Sequence, residues 1–375
     1  MAKSLKRLNR VVLICGLAMF WVAPLKAEEP HADTPGDWLD VVRTSPYWVS
    51  QGVYRNMLTI RQWVLNESGY CADPDRHILF DMRGRFLAWI SDGTNRAATQ
   101  QRLNETRHSL HQSQQVKTWV AGAAGRIGYP FALACNQPHV NLDEALARYL
   151  GTLPTSRLWG TWDDLTFASS QQPGSLHDAL MYVYRTRQQQ QRLTLPKVLP
   201  RYLAGQILIE SGGQTRAHST ANARGILQLS PPALSDCQLA PENYWHRLAQ
   251  IDCALRLMDQ NARNLRPVFE SRFGHLPEDK QDRLFTLLLI QAYHGGAGRV
   301  QALLEDETLA KPAIYFAAHH ERFTAGDMAF GMVFHNLGRD RLGLASLYYV
   351  ADVQLATEAL CRTTALKATE FCQWK

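Results

Sequence analysis

The chain has 375 residues, of which 46% are hydrophobic and 20% are charged. These proportions lie near the averages of soluble proteins, so they argue against a disordered chain and against a membrane protein with many spans. The length suggests about two domains, each with enough residues for a hydrophobic core.

The formal net charge of +6 is concentrated at the N-terminus. Five of the 40 basic residues precede Glu28, and no acidic residue does. The rest of the chain carries 35 basic against 34 acidic residues, a charge of about +1. This balance gives no argument for nucleic acid or anionic lipid as a partner, and we expect no nucleic-acid binding.

Residues 1–27 have the layout of a cleavable signal peptide. An apolar run at 11–23 leads to the small residue Ala27, and it follows the basic residues Lys3, Lys6, Arg7 and Arg10. The run is shorter than the ~20 residues that a bilayer-spanning helix needs. Cys15 is a poor lipidation site because Ile14 precedes it where a lipoprotein signal has a small residue. The sequence therefore predicts export to the periplasm, with no stable membrane anchor after cleavage.

Six cysteines remain beyond the predicted signal peptide, an even number that favours disulfides in an oxidising compartment. Pairings that keep each bridge within one segment are Cys71–Cys135, Cys237–Cys253 and Cys361–Cys372. We predict these three pairs, although other pairings satisfy the count. No metal site is expected, because the chain has no CxxC pair and the HHE run at 319–321 lacks HExxH spacing.

Residues 28–194 mix strand and helix patterns, which predicts a small N-terminal α+β domain. An alternating stretch at 78–90 predicts a β-hairpin. Further predicted elements are a polar helix at 95–121, a buried strand at 129–135 and a helix at 141–150 with Asn141 as its N-cap. This region contains no recognisable catalytic pattern, so a regulatory, a glycan-binding and a partner-docking role all stay open.

A domain boundary is predicted near residue 195. The helical stretch at 176–192 contains four consecutive glutamines, and Pro196 and Pro200 follow it. Beyond this point nearly every pattern is helical, and helices are predicted at 201–211, 242–265, 279–294, 298–306 and 342–360. The second domain, 195–375, is therefore expected to be all-α, and the chain α+β overall.

The first helix of the second domain ends at a carboxylate. Its apolar sequence RYLAGQILIE stops at Ser211-Gly212-Gly213, so Glu210 lies in the last helical turn. The negative end of the helix dipole and the apolar neighbours both disfavour the carboxylate there. Both effects raise the pKa toward the range that a general acid needs near neutral pH. A plain exposed helix end has the same pattern, so this signal alone does not establish a site.

Two blocks in the second domain resemble the soluble lytic transglycosylase (SLT) signature. The stretch ESGGQTRAHSTANARGILQLSPPAL at 210–234 resembles a family pattern in which Glu-Ser leads through an Ala-x-Ser loop to a G-[LI]-[ML]-Q block that begins the next helix. The stretch QAYHGGAGRV at 291–300 resembles the family's A-Y-N-A-G-x-G-x-V element, and LYYV at 347–350 resembles its late Tyr-Val pair. The resemblance covers roughly 196–355 and implies an all-α, lysozyme-like SLT domain.

The resemblance implies that Glu210 is the single catalytic acid/base. The implied substrate-binding residues are Ser219, Gln228, Tyr293, His294 and Tyr349. The chain also departs from the family pattern. His294 replaces the family's Asn, Gly295 replaces its Ala, and the residues at 345–347 replace its E-T-R run. These departures affect the neighbourhood of the cleaved sugar and the role of the late tyrosine.

Glycosidases usually place two carboxylates around the scissile bond, but this signature supplies one. The resemblance implies that Glu210 protonates the leaving oxygen of a β-1,4 MurNAc–GlcNAc bond while the N-acetyl group of MurNAc assists at C1. Glu210 then takes the C6 hydroxyl proton, and O6 closes on C1 to give a 1,6-anhydro-MurNAc end. The implied substrate is the glycan strand of peptidoglycan, and no metal or organic cofactor is required.

Two other functions stay open. A goose-type lysozyme-like muramidase would direct a water molecule to C1 instead of the C6 hydroxyl. A non-catalytic module would bind glycan or act as a scaffold in an envelope-spanning secretion or conjugation apparatus. The substitutions at His294 and at 345–347 keep this second alternative open. The chemical nature of the released sugar end distinguishes the two enzymes, whereas a non-catalytic module releases no soluble product.

Overall fold

Most of the described chain folds into α-helices, accompanied by two small antiparallel sheets. The structure is a computed structural model that describes Arg43 and residues 46–66, 76–80, 86–115, 131–134 and 141–373. The predicted signal peptide and the predicted Cys71–Cys135 pair lie outside these residues. The mixture of helix and sheet agrees with the predicted α+β class, and the boundary near 195 stays a prediction.

The predicted hairpin is present as β1 (Arg76–Phe80) and β2 (Phe86–Ser91), which pair antiparallel. The strand β3 (Phe131–Ala134), which lies within the predicted strand at 129–135, pairs antiparallel with the other edge of β1. The resulting sheet has the order β2-β1-β3.

The helix α2 (Arg96–Gln112) packs against β2. The side chain of Asn95 caps it by accepting the Ala98 N–H at 3.0 Å. Buried residues of the two elements and of β1 form a small separate core, which consists of Leu79, Ile90, Leu103 and Leu110. The helix ends earlier than the predicted 121, because the chain turns at Gln114 with φ 59°. Left-handed backbone of this kind ends a right-handed helix.

The segment from 141 to 189 contains two predicted helices and one feature that was not predicted. The helix α3 (Leu142–Tyr149) has Asn141 as its N-cap, as expected. The Oδ1 atom of Asn141 accepts a hydrogen bond from the Glu144 N–H at 3.1 Å. The helix α4 (Leu176–Gln189) begins with a capping box. Between them lies an unpredicted hairpin of β4 (Gly160–Trp162) and β5 (Leu165–Phe167). Its three-residue strands are too short for an alternating pattern to be recognised.

The described residues from 195 onward contain helices and turns but no β-strand. The helix α1 (Val53–Asn66) precedes them in the chain and packs against them. The helices of this part are α5 (Leu199–Ser211), α6 (Pro231–Asp236), α7 (Arg247–Phe273), α8 (Glu278–Gly295), α9 (Ala297–Glu305), α10 (Lys311–Ala318), α11 (Ala325–Phe334), α12 (Leu344–Arg362) and α13 (Glu370–Gln373). The five helices predicted here are present, with ends shifted by up to eight residues.

A buried ion pair holds α1 against α12. Arg61 donates two hydrogen bonds of 2.7 Å to the carboxylate of Asp352, and both side chains are fully buried. The guanidinium also lies over the ring of Tyr348, 4.8 Å from its centroid. Removing one partner would leave a buried charge unpaired, at a cost of about 3–5 kcal/mol. One hydrophobic core therefore includes α1 together with the later helices.

Two of the predicted disulfides are confirmed. Cys237–Cys253 joins the end of α6 to α7, and Cys361–Cys372 joins α12 to α13. The first bridge follows directly on the segment 210–234. No helix among the described residues combines the length and the apolarity needed to span a bilayer.

Candidate active site

Glu210 lies in the last turn of α5, where the sequence predicts it. The helix ends because Gly212 adopts a left-handed conformation with φ 60° and donates its N–H to Leu208 at 3.0 Å. Such a glycine is a common helix terminator, since it has no side chain to clash. The residues before Glu210 are buried, whereas Glu210 itself keeps part of its surface in contact with solvent. The carboxyl group therefore stands at the rim of the core.

Tyr349 of α12 is the hydrogen-bond partner of Glu210. Its hydroxyl donates to Oε1 of Glu210 at 2.5 Å, although 139 residues separate the two in the chain. The same hydroxyl oxygen accepts a hydrogen bond from Nε2 of Gln206 at 3.1 Å. Gln206 was not identified from the sequence, because a single amide within an apolar helix belongs to no motif. The structure thus places Tyr349, which the sequence named only as a substrate-binding residue, on the carboxyl group of Glu210, and it adds Gln206 as a third residue.

Burial raises the pKa of Glu210 to about 7, and the hydrogen bond from Tyr349 opposes the rise. Among the described residues, no other carboxyl contributes to this shift. At neutral pH the acid and the carboxylate are therefore both populated. A group with this property can donate a proton in one step and accept one in the next.

Tyr293 and His294, both on α8, contact the site in different ways. Tyr293 donates its hydroxyl hydrogen bond to the carbonyl of Leu227 at 2.6 Å. Its pKa is raised well above the usual value, first by burial and then by the charge of Glu210. His294 stacks on Tyr349, with 4.4 Å between ring centroids. Desolvation by the surrounding protein, with the charge of Arg299 as a second cause, lowers the pKa of His294 and favours its neutral form.

The GILQ block forms a tight turn and does not begin a helix, so this expectation from the family pattern is wrong. Gly225 has φ 76° and Gln228 has φ 45°, both in the left-handed region that a helix excludes. The backbone of Arg224 pairs with Leu229 across the turn. The next helix, α6, starts only at Pro231.

Gln228 and Ser219 make their hydrogen bonds within the loop that follows Glu210. Nε2 of Gln228 donates to the carbonyls of Ala217 and Gly225 at 3.0 and 2.9 Å. The hydroxyl oxygen of Ser219 accepts the Ala223 N–H at 3.0 Å. The structure therefore brings Tyr349 and its stacking partner His294 to Glu210. It assigns Gln228 and Ser219 contacts that fix the shape of the loop.

Gln250 of α7 holds the turn in place, and no pattern in the sequence pointed to this residue. Its side chain is fully buried and accepts the Leu227 N–H at 3.1 Å while donating to the carbonyl of Arg224 at 2.9 Å. A β-carbon at Gly225 would lie 1.9 Å from Nε2 of Gln250. The glycine is thus required both by its backbone conformation and by the amide beside it. Ser211, which follows Glu210, donates to the carbonyl of Ile226 at 2.8 Å.

The site contains one ionisable acid near neutrality, hydrogen-bonded to a buried tyrosine. Among the described residues, no group of three or more His, Cys, Asp or Glu side chains converges on a point that could hold a metal ion. No protein-family model matches the chain, and no curated protein matches it.

Proposed function

We propose that this protein is a peptidoglycan lytic transglycosylase that cleaves the β-1,4 MurNAc–GlcNAc bond, with Glu210 as its single acid/base. The observation that carries the proposal is the state of Glu210. Its pKa of about 7 and its hydrogen bond to Tyr349 suit a residue that alternates between acid and base. The two SLT-like blocks supply Glu210 and the residues around it, and they support the same reaction.

In the first step, protonated Glu210 gives its proton to the oxygen that leaves C1 of MurNAc. The C1–O4 bond breaks, and the carbonyl oxygen of the N-acetyl group bonds to C1, which forms an oxazolinium ion. Glu210 is now a carboxylate. Tyr349 donates a hydrogen bond to it at this stage, and a hydrogen bond to a charged group is about twice as strong as a neutral one.

In the second step, the Glu210 carboxylate takes the proton of the C6 hydroxyl. O6 bonds to C1, and the bond between C1 and the acetamido oxygen breaks. The product is a 1,6-anhydro-MurNAc end, and Glu210 returns to its acid form. Neither water nor a cofactor is consumed. In this proposal Ser219 and Gln228 fix the loop against which the sugar and its acetamido group lie. Tyr293 forms the wall beside Glu210, and His294 keeps Tyr349 in position.

We further propose that the protein acts in the periplasm after cleavage of the signal peptide at 1–27. The two disulfides support an oxidising compartment. Peptidoglycan is the substrate in that compartment. Its cleavage there would serve either wall turnover or the local opening that an envelope-spanning secretion or conjugation apparatus needs.

The test is to digest purified peptidoglycan with the exported protein and to analyse the soluble muropeptides by mass spectrometry. Wild-type protein is expected to release products with anhydro ends, about one water lighter than hydrolysed ones. The Glu210→Gln variant is expected to release none while keeping its fold. A folded wild-type protein that binds peptidoglycan but releases no product would contradict the proposal and favour a binding module.

A further inference from the structure

A buried amide stands behind the tyrosine that contacts Glu210. Gln206 precedes Glu210 by four residues on α5, so the two side chains lie on the same face of the helix. Gln206 is fully buried, and its Nε2 donates to the hydroxyl oxygen of Tyr349 at 3.1 Å. That hydroxyl in turn lies 2.5 Å from Oε1 of Glu210. The three groups form a chain of two hydrogen bonds that ends at the acid/base.

The position of Gln206 is costly for stability. Its Oε1 is buried without a hydrogen-bond partner among the described residues. A leucine at position 206 has a similar size and would avoid this unsatisfied oxygen. Leucine would also suit the position because the helix residues next to Gln206 are apolar. Local rules of this kind are most often broken where a side chain serves a function. The amide therefore needs an explanation other than packing.

The chemistry of the tyrosine hydroxyl supplies that explanation. The hydroxyl has one proton and can also accept hydrogen bonds. When Glu210 is a carboxylate it can only accept, so Tyr349 has to donate to it. The N–H of Gln206 occupies the acceptor side of the Tyr349 oxygen, which leaves the single proton directed at Glu210. The same N–H draws electron density from the oxygen and makes the tyrosine a better donor.

We propose that Gln206 is a positioning residue that holds the Tyr349 hydroxyl proton toward Glu210 and thereby supports its carboxylate form. The inference rests on the proposed role of Glu210 as acid/base. Two tyrosines of the described residues interact electrostatically with Glu210: Tyr349 from α12 and Tyr293 from α8. A third titratable side chain, His294, stacks on the ring of Tyr349. Both tyrosines are neutral at physiological pH, and desolvation favours the neutral form of His294.

The proposal predicts a change in the titration of Glu210. In the Gln206→Leu variant the Tyr349 oxygen loses its donor, so its own donation to the carboxylate weakens. The carboxylate form is then less stable, and the pKa of Glu210 rises further, by about 0.5 to 1 unit. If Gln206 acts through Tyr349 alone, the same substitution has no effect on Glu210 in a Tyr349→Phe background.

The experiment is a pH titration by NMR of the full exported protein, labelled with carbon-13 in the side-chain carboxyl of glutamate. The Glu210 signal is assigned by its loss in Glu210→Gln. Two comparisons follow. The Gln206→Leu variant is compared with wild type, and the double variant Gln206→Leu, Tyr349→Phe is compared with the single variant Tyr349→Phe. A rise of the Glu210 pKa in the first comparison and none in the second is expected. An equal rise in both comparisons, or no rise in the first, would overturn the proposal.

A matched control is present between the same two helices. Gln354 of α12 is buried, and its Oε1 accepts the hydroxyl hydrogen bond of Tyr202 of α5 at 3.0 Å. Gln354→Leu removes a buried glutamine–tyrosine pair like the one under test, and it is expected to leave the Glu210 titration unchanged. A shift as large as that of Gln206→Leu would indicate a general effect of loosened packing and would contradict a specific role.

Gln206→Met is the second variant, to be used if the Gln206→Leu protein does not fold. The unbranched side chain of methionine fills the space of a glutamine. It is expected to raise the Glu210 pKa as Gln206→Leu does. The titration needs no substrate, so its outcome is separate from that of the proposed function. Absence of anhydro products from wild-type protein would remove the transglycosylase proposal, while the titration would still decide whether Gln206 acts on Glu210 through Tyr349.

Discussion

Gly205 lies so close to α12 that a β-carbon at this position would stand 2.3 Å from Oγ1 of Thr357. The same atom would stand 2.6 Å from the carbonyl oxygen of Val353. The glycine therefore permits a helix spacing that no other residue allows. Because Gly205 is adjacent to Gln206 and about one turn from Glu210, this spacing sets the distance over which Tyr349 reaches the carboxylate.

Gly205→Ala is expected to push α5 away from α12. We expect a loss of about 1–3 kcal/mol in the free energy of unfolding, as for other overpacked cores, and a loss of peptidoglycan cleavage because the Tyr349–Glu210 contact lengthens. Gly298→Ala is the control, since a β-carbon there meets nothing within 4 Å. Denaturant unfolding and a cleavage assay measure both effects. Equal stability and activity of the two variants would contradict this account of the spacing.

The activity is expected to depend on pH through the acid form of Glu210. With a pKa of about 7, the carboxyl loses its proton as the pH rises through neutrality, and kcat/KM falls because the first step needs the acid. A pH profile of peptidoglycan release measures the descending limb. A rate that stays constant well above neutral pH would argue against Glu210 as the proton donor.

The raised pKa also predicts how folding stability depends on pH. The folded state binds a proton at Glu210 more tightly than the unfolded chain does, because burial raises the pKa from 4.5 to about 7. Stability is therefore lost as the pH rises between these two values. Glu210→Gln removes this loss, so the variant should gain stability relative to wild type, by about 1–3 kcal/mol at pH 8. Denaturant unfolding at pH 5 and pH 8 is the measurement, and a pH-independent difference would contradict the raised pKa of Glu210.

Tyr349→Phe removes the hydrogen bond that favours the carboxylate. The pKa of Glu210 should therefore rise, and the descending limb of the pH profile should move to higher pH. The second step needs the carboxylate as a base, so kcat is expected to fall by about tenfold or more. Tyr202→Phe serves as the control, since it removes a buried tyrosine hydroxyl from the same pair of helices. An unshifted limb in Tyr349→Phe would contradict the assigned contact.

Reduction of the Cys237–Cys253 bridge is expected to destabilise the segment that follows the GILQ turn. The bridge has a sequence separation of 16, and a loop of about this length stabilises a fold by about 3 kcal/mol through chain entropy. A Cys237→Ala, Cys253→Ala double variant should lower the midpoint of denaturant unfolding. A reducing agent should then lower the unfolding midpoint of the double variant by less than that of wild type. An equal decrease in both proteins would argue that this bridge is not the source of the stabilisation.

The helices of the second half could be predicted because their local signals agree with the tertiary structure. Long stretches rich in apolar residues indicate α8 and α12, and Gly212 follows the end of α5 as a glycine cap should. The GILQ turn was assigned wrongly for a physical reason. Its backbone is left-handed at Gly225 and Gln228, and it is held there by the distant amide of Gln250. A tertiary contact of this kind leaves no trace in the local sequence.

The candidate site likewise contains residues that the sequence could identify and a residue that only the tertiary structure reveals. Glu210 and Tyr349 belong to recognisable blocks, so sequence was sufficient to name them as candidates. Gln206 belongs to no block, and its importance follows from one hydrogen bond to a residue 143 positions away. A buried glutamine in an apolar helix is nevertheless a signal in itself, because burial of an amide is costly without a partner.

Digestion of peptidoglycan in water enriched with oxygen-18 tests the central claim most directly. In the proposed reaction the C6 oxygen of MurNAc closes on C1, so no solvent oxygen enters the product. Mass spectrometry of the quenched digest is expected to show 1,6-anhydro-MurNAc ends without the heavy isotope, and Glu210→Gln is expected to release none. Reducing MurNAc ends that carry oxygen-18 at C1 would contradict the transglycosylase account and establish hydrolysis instead.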